Sequence, residues 1–336
     1  MENFNSGQID EGYSRRQAIA GGFGFAALLA GLTPQGVSAA SALAGGLRVG
    51  AIDLATGAGT AQTMARIAGN TDPSATKHGW YRGRIMGVAP GGAVRDLLGI
   101  KVMSSQRLEP LADRPGWSLL QKEVGFFFDL ATGEVVDEWE NPYTSETVEV
   151  LHIANPSVSR NIEPVVRDSR FYDDPQKASE GERPFVLPWQ RAGDRLFVEQ
   201  HSHFWAKNPL DPAVWKRESS GPMLQVSDMM SFNVRFSDVQ NPELTSLENW
   251  GAWVHVRPWQ PWMLMGTSAG HCLYNCFTGS ADSLATIPGD IVAATRARHP
   301  DFLEAPKELT QSEPSLVRFM RERKPAPLLN NTGKNP

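Results

Sequence analysis

Alternation of apolar and polar residues at every second position dominates the chain after residue 78 and predicts β-strands. In a strand, side chains of one parity point to one face of the sheet and those of the other parity to the opposite face. Glycine, proline, asparagine and aspartate separate the alternating segments, as expected of turns. The segments predicted as strands are 79–90, 100–111, 117–130, 134–142, 146–156, 194–207, 224–239, 250–259, 261–266 and 271–279.

Two shorter segments carry helix signals near the end of the chain, at 287–300 and 315–324. About ten antiparallel strands with a few peripheral helices predict a mostly β fold. The expected form is an antiparallel β-barrel or a closed curved sheet, calycin-like, which can enclose one small ligand. Because no internal repeat is visible, we expect a single barrel-like domain over residues 40–325 and a flexible tail over 326–336.

Composition narrows the class of protein. The chain has 336 residues, 41% of them hydrophobic, so a full core can be buried. A net charge of −5 without a basic excess argues against a nucleic-acid partner. Two cysteines cannot form a disulfide framework, and we expect Cys272 and Cys276 to be buried free thiols.

The N-terminal region has the order of an export signal. The twin-arginine stretch SRRQAI (14–19) leads into the apolar run AIAGGFGFAALLAGL (18–32), and small residues follow at 37–39 and 42–44. We therefore expect residues 1–39 to be a cleaved twin-arginine signal, although the cleavage site stays open. The expected partner is the twin-arginine translocation machinery, and the mature protein would be periplasmic or secreted. The apolar run is too short to leave a stable membrane span.

Three segments carry a resemblance to a known family. They are KEVGFFFDLATGEVVDEWENPYTSETVEVLHIANPSV (122–158), PWMLMG (261–266) and RARHPDFLEAP (296–306). In this order they resemble the bacterial and fungal family catalogued as domain of unknown function 1838, over roughly residues 47–306. The resemblance implies a single exported domain. It implies no activity and no catalytic residue, so the chemistry must be inferred from the residues themselves.

The stretch FVEQHSHFWAK (197–207) is the first candidate for chemistry. Glu199, His201 and His203 share one parity and are bracketed by Phe197 and Trp205. The same kind of face recurs on two other predicted strands, as Trp253, His255 and Arg257 and as Trp80, Arg82 and Arg84. A dry core does not tolerate so many ionisable groups, so these faces line either a wet cavity or solvent. We expect the cavity.

Acid–base chemistry is the function that these residue types favour. A histidine beside a carboxylate shuttles a proton near neutral pH, and arginine stabilises a developing oxyanion. We therefore expect an exported lyase, hydratase or isomerase that acts on a small hydrophobic or aromatic molecule. The expected catalytic residues are His201, His203 and Glu199, supported by His255 and Arg257. The expected substrate-binding residues are Trp80, Arg82, Trp205, Trp253 and Trp259.

Three alternatives remain open. In the first, His201 and His203 bind a divalent metal with Glu199 as a third ligand, because imidazoles at alternate strand positions can chelate jointly. Whether the protein uses a cofactor stays open, and a divalent metal is the one candidate. In the second, the barrel binds a small hydrophobic molecule without catalysis, which would require the tryptophans and not the histidines. In the third, a structural or surface-interaction protein has no enclosed pocket at all.

Overall fold

A computed structural model describes residues 48–49, 52–166, 183–308 and 315–328. Its strands are β1 (Arg48–Val49), β2 (Ile52–Asp53), β3 (Lys77–Val88), β4 (Arg95–Pro110), β5 (Trp117–Phe128), β6 (Glu138–Glu140), β7 (Thr147–Glu149), β8 (Ile153–Ile162), β9 (Val165–Val166), β10 (Arg183–Pro184), β11 (Gln190–Ala192), β12 (Arg195–Lys207), β13 (Met223–Arg235), β14 (Asn249–Arg257) and β15 (His271–Ala281). Its α-helices are α1 (Gly57–Ala68), α2 (Phe236–Gln240), α3 (Gly289–Arg298) and α4 (Ser315–Glu322), with 3-10 turns at Pro261–Met263, Leu284–Thr286 and Pro300–Leu303.

Nine strands form one antiparallel sheet in the order β11-β12-β13-β14-β15-β3-β4-β5-β8. Consecutive strands are neighbours almost throughout, as expected for segments joined by short turns. The sheet curls into a half-barrel with few helices. The predicted mostly β, barrel-like antiparallel fold is therefore confirmed, in an open form whose edge strands are β11 and β8.

The inner face of the half-barrel carries the main hydrophobic core. Tyr81, Ile100, Phe127, Met230 and Trp253 have the parity of this face, and all are buried in one cluster. Helix α1 contributes its apolar side to the same cluster. Helix α1 therefore packs on the inner side of the sheet and closes part of the half-barrel.

A buried lysine ties α1 to the sheet. The Lys77 ammonium donates hydrogen bonds to the carbonyl oxygens of Arg66 (2.8 Å) and Leu247 (2.6 Å) and to Ser246 Oγ (2.9 Å). The Arg66 guanidinium in turn donates to the carbonyl oxygens of Asp238 and Asn241. These bonds connect α1, β3 and the segment before β14, because each cation satisfies carbonyl groups that would otherwise be buried without a partner.

The outer face is covered on one side only. Helix α3 packs over β3, β4 and β5, where Trp80, Met103, Phe126 and Ile291 form a second apolar cluster. Asp290 of this helix accepts from Arg82 (3.0 Å) and Lys101 (3.4 Å) of the sheet. Over β12–β15 the outer face is instead solvent-exposed.

Several predicted segments differ from the structure. Residues 261–266, predicted as a strand, form a 3-10 turn at Pro261–Met263. Residues 157–162, predicted as part of a long loop, continue strand β8. The two predicted helices are confirmed as α3 and α4.

The predicted export signal (1–39), its cleavage sites and most of the predicted tail (329–336) lie outside the described residues. None of the helices in the described ranges is both long and apolar enough to span a bilayer. The remaining loop prediction, at residues 167–182, also lies outside them.

Candidate functional site

A buried aspartate–histidine pair lies on the inner face between β13 and β14. Asp228 and His255 are direct cross-strand neighbours in the sheet register, and His255 Nδ1 lies 2.6 Å from Asp228 Oδ1. Both side chains are only 6% exposed. Because a carboxylate oxygen accepts hydrogen bonds, His255 Nδ1 is the donor of this contact, and Nε2 is the ring nitrogen that points away from Asp228.

Aromatic rings fix the imidazole in place. Trp253 stacks on His255 at 5.1 Å between ring centroids, and its Nε1 donates to the same Asp228 Oδ1 (3.0 Å). Tyr274 of the neighbouring strand meets the His255 ring edge-on at 5.2 Å. Gln260 Nε2 donates to the Tyr274 hydroxyl oxygen. Two donors on one carboxylate oxygen orient the imidazole ring that it holds.

Arg257 brings a cation to this cluster from the end of β14. Its side chain is buried, and burial lowers the pKa of the guanidinium. Burial likewise raises the pKa of the Tyr274 hydroxyl above its ordinary value, so this group stays a hydrogen-bond donor at neutral pH. The arrangement places a positive charge and a neutral O–H group close to the Asp228–His255 pair.

Arg257 and Gln260 also line a small cavity at one end of the half-barrel. The cavity has a volume of about 20 Å³, enough for one water molecule. Its remaining wall is mainly apolar and includes Phe127, Trp262 and, from α4, Leu316 and Phe319. The polar cluster therefore adjoins an apolar cavity that helix α4 borders.

A second polar cluster lies further along the inner face. The carboxyl group of Glu123 is fully buried, accepts from Asn155 Nδ2 (2.7 Å), and lies 3.5 Å from the Tyr81 hydroxyl. Burial raises the pKa of Glu123 to about 8, and the bonds to Asn155 and Tyr81 oppose this rise. The Tyr81 ring is 4.7 Å from that of Trp253. The two clusters are thus joined through a Tyr81–Trp253 ring contact.

The comparison with known families agrees with the resemblance noted above. The family model described as Protein of unknown function (DUF1838) matches residues 75–323, from the start of β3 to the end of α4. The chain belongs to this family. No curated protein matches it. The matched range of the DUF1838 chain contains the whole of both inner-face clusters.

Three predicted site residues of the DUF1838 chain lie where the alternation placed them. Trp253, His255 and Arg257 are on the inner face and buried. Trp259 is buried in the same core, where its Nε1 donates to the Ser268 carbonyl oxygen (3.0 Å). The structure therefore brings His255, Arg257 and Trp253 together, with Trp259 just beyond the strand.

The other predicted residues lie on the outer face, and their predicted orientation into a cavity is wrong. Glu199, His201 and Trp205 are exposed, and His203 shares their parity on β12. The register gives the reason: Ser202 pairs with Asp228, which pairs with His255, so the parity of His201 and His203 is opposite to that of His255. Their catalytic role stays a prediction, and it would have to operate on the far side of the sheet.

Trp80 and Arg82 also point outward. Trp80 is buried under α3, and Arg82 pairs with Asp290 of that helix.

The histidines of β12 do not gather a metal site. Glu199 Oε2 lies 3.6 Å from His201 Nε2, and the ring centroids of His201 and His203 are 6.1 Å apart. Across the part of the chain that the structure describes, no three His, Cys, Asp or Glu side chains are grouped so that they could hold a metal ion.

The sequence analysis missed Asp228, Tyr274 and Glu123. Each lies at the buried parity of its strand, and for two of them the pattern carries a signal. Asp228 interrupts the apolar set Leu224, Val226, Met230, Phe232 and Val234. Glu123 stands between Leu119 and Phe127 at the parity of the core. A single acid at an apolar parity indicates a buried polar network, because an isolated buried charge is costly.

Proposed function

We propose that this DUF1838 protein is a small-molecule enzyme that uses the inner-face Asp228–His255 pair for acid–base chemistry. The observation that carries the proposal is the 2.6 Å contact between two buried side chains, held by the indole of Trp253. Asp228 holds the tautomer in which His255 Nε2 accepts a proton, and it stabilises the imidazolium that forms. A base positioned in this way typically accelerates a proton transfer about 10²–10⁴-fold.

The neighbours of the pair support an anionic transition state. The Arg257 guanidinium and the Tyr274 hydroxyl supply a cation and a neutral donor for charge that develops on a substrate oxygen. The wall next to Arg257 is mainly apolar, but its cavity holds only one water molecule, so an aromatic substrate would have to widen it. Proton removal beside a carbonyl or carboxylate, as in a hydratase, lyase or isomerase, is the reaction class that uses all these groups.

The test compares two aspartate–histidine pairs of the same chain. His255→Gln and Asp228→Asn remove the proposed base and its partner. The control is His152→Gln. His152 Nε2 also contacts a carboxylate, Asp137 Oδ1 at 3.1 Å, but His152 directly precedes β8 and its partner Asp137 is exposed. The variants are incubated with aromatic hydroxy acids and their unsaturated counterparts, and gain or loss of water is followed by mass spectrometry.

We expect His255→Gln to lose at least 10²-fold in turnover and His152→Gln to keep it. Equal turnover in His255→Gln, Asp228→Asn and the unaltered protein would remove the enzyme assignment. A double His201→Gln/His203→Gln variant tests the outer-face prediction in the same assay. A loss confined to that double variant would move the chemistry to β12. Metal analysis of protein purified without chelator tests the metal-dependent alternative.

A non-catalytic binding protein is the second candidate. It is favoured by the mostly apolar wall beside Arg257, which contains Trp262 and Phe127 and would have to widen to admit more than one water molecule. Quenching of tryptophan fluorescence by the same acids measures binding without turnover. Retention of unchanged ligand by the unaltered protein and by His255→Gln alike would select this function.

We also propose that the protein is exported as a single domain over residues 40–325. The support is the SRRQAI stretch with the apolar run behind it. Replacement of Arg15 and Arg16 by lysine should retain the protein inside the cell, as measured by fractionation. Export that is unaffected by this double change would remove the twin-arginine assignment.

A further inference from the structure

Three long polar side chains lie together on the inner face of β4, β5 and β8, on strands other than those of the proposed acid–base pair. Gln106 and Gln121 are direct cross-strand partners, and Arg160 pairs with Leu119, the neighbour of Gln121 at the same parity of β5. Direct partners have Cβ atoms about 5 Å apart and diagonal neighbours about 7–8 Å apart, within reach of long side chains. We call Gln106, Gln121 and Arg160 the amide–guanidinium cluster.

The polar atoms of this cluster are buried without a partner in the protein. Gln106 is 0% and Gln121 is 1% exposed. Among the residues that the structure describes, nothing forms a hydrogen bond with Gln106 Nε2, with either polar atom of Gln121, or with the buried Nε and Nη1 of Arg160. Because nearly all buried polar atoms of folded proteins are paired, five unpaired atoms on three neighbouring side chains indicate a partner from outside the chain.

The charge of Arg160 is the second observation. Glu123 lies in the next cross-strand row of the same face, where it is bonded to Asn155, and in the described ranges no ion pair joins it to Arg160. Burial raises the pKa of Glu123 to about 8 and lowers that of Arg160 to about 9. At neutral pH the carboxyl group is therefore uncharged while the guanidinium keeps its charge. A buried cation in this state is costly until an anion reaches it.

The balance of donors and acceptors indicates the kind of ligand. Four of the five unpaired atoms are N–H donors, and the fifth, Gln121 Oε1, is an acceptor. A water molecule offers about two lone pairs and no charge. An ionised carboxylate offers about four lone-pair sites on two oxygens, together with a negative charge for the guanidinium. The donor set therefore matches a carboxylate better than a single trapped water.

We propose that the amide–guanidinium cluster binds the carboxylate group of a small organic acid. The carboxylate pairs with the Arg160 guanidinium, and the amides of Gln106 and Gln121 donate to its oxygens. Leu108 and Leu119, the next cross-strand pair, are buried and border the site with apolar surface. This surface strengthens the ion pair through its low dielectric constant and suits the apolar body of the acid.

The position of the cluster in the sheet gives the acid a route to the site. Strand β8 is an edge strand of the nine-stranded sheet. Val158 and Arg160 of this strand are half-buried, so part of Arg160 meets solvent although its Nε and Nη1 are buried. The acid can therefore approach from this edge and need not cross the hydrophobic core.

Isothermal titration calorimetry with benzoate, at about pH 7 and constant ionic strength, tests the proposal. Benzamide is the matched ligand, because it has nearly the same shape and no charge. We expect benzoate to bind, and we expect both the change to benzamide and Arg160→Gln to weaken binding at least 10-fold. Arg114→Gln is the control and should leave the affinity unchanged, because Arg114 Nε already pairs with Glu163 Oε2 at 2.8 Å.

Thermal unfolding separates a ligand site from a structural role. Gln121→Leu keeps the approximate size of the side chain and removes both unpaired polar atoms, and Arg160→Gln removes the unpaired charge. Without ligand, both variants should unfold at the same or a higher temperature than the unaltered protein. Benzoate should raise the unfolding temperature of the unaltered protein far more than that of either variant. A structural role predicts a lower unfolding temperature for both variants without ligand.

Four results overturn the proposal. They are no benzoate binding up to the solubility limit, which would leave trapped water as the partner; equal affinity for benzoate and benzamide; benzoate affinity that Arg160→Gln leaves intact; and binding of inorganic phosphate in place of benzoate. The site does not rest on the proposed enzyme function. Because the acid–base pair lies on other strands, His255→Gln should keep the benzoate affinity, so the two proposals can fail separately.

Discussion

Glu123 offers a direct test of the buried polar network on the inner face. Its carboxyl group is buried in the core and bonded to Asn155, and burial raises its pKa from 4.5 to about 8. The folded protein therefore holds a proton on Glu123 at neutral pH, while the unfolded chain releases it. Replacement of Glu123 by glutamine keeps the shape and the acceptor for Asn155 and removes the titration.

The sign and size of the pH dependence of the free energy of unfolding follow from proton linkage. Below about pH 4.5 both states are protonated, and Glu123 makes no pH-dependent contribution. Between pH 4.5 and about 8 only the unfolded chain is ionised, so the stability of the unaltered protein falls by about 1.4 kcal/mol per pH unit. Relative to Glu123→Gln, the loss amounts to about 3 kcal/mol at pH 7 and about 5 kcal/mol above pH 8. The variant should therefore be the more stable protein at alkaline pH.

Urea unfolding from about pH 4 to about pH 9 measures this difference as a change in midpoint at constant slope. Glu138→Gln is the matched control, because Glu138 is exposed on the short strand β6. Its difference from the unaltered protein should stay small and flat. If the difference in free energy of unfolding between Glu123→Gln and the unaltered protein is the same at every pH, Glu123 ionises in the folded state as it does in the unfolded chain. The account of the buried network would then be wrong.

Three further changes test other parts of the fold. Burial lowers the pKa of Lys77 from 10.5 to about 7. Between about pH 7 and about pH 10.5 the unfolded chain therefore binds one proton more than the folded protein, so the free energy of unfolding should rise with pH. Lys77→Met should abolish this rise, as measured by urea unfolding. A Cβ at Gly83 would lie 2.1 Å from the Asn275 carbonyl oxygen, so Gly83→Ala should cost roughly 1–3 kcal/mol or more, while Gly289→Ala, with open space around it, should not. Trp253→Phe removes one donor to Asp228 and should cost about 1–2 kcal/mol of thermal or urea stability, together with part of the turnover proposed for His255.

Alternation in the sequence was sufficient to predict most of the long strands of the nine-stranded sheet, and helix signals predicted α3 and α4. It fails where sheet pairing is absent: PWMLMG has strand-like residues, but Pro261 begins a 3-10 turn and Leu264 adopts a left-handed backbone with φ of 56°. Local propensity does not report whether a neighbouring strand is available. The same reason explains why residues 157–162, with little alternation, still extend β8 beside β5.

The assignment of faces was the least certain part of the prediction. On β14 the large polar and aromatic set faces inward, whereas on β12 the large set faces outward, although both strands carry histidine and tryptophan at one parity. On β12 it is the set of smaller side chains that faces inward. Val198, Gln200 and Ser202 fill the buried side, opposite Asp228 and Met230 of β13. Which set is buried depends on the volume that the neighbouring strands leave, and one strand read alone does not contain that information.

The register of β12, β13 and β14 places the buried Asp228–His255 pair and the exposed histidines of β12 on opposite sides of the sheet. Ser202, Asp228 and His255 lie in one cross-strand row on the inner face, and the outer-parity neighbours His201 and His203 lie on either side of that row. The exposed imidazoles of β12 are accessible to water, while burial requires that the polar atoms of the Asp228–His255 pair be satisfied within the core. Substitutions at His255 should therefore act on the proposed chemistry, while substitutions at the exposed His201 and His203 should leave the buried pair intact, because alternate residues of a strand point to opposite faces.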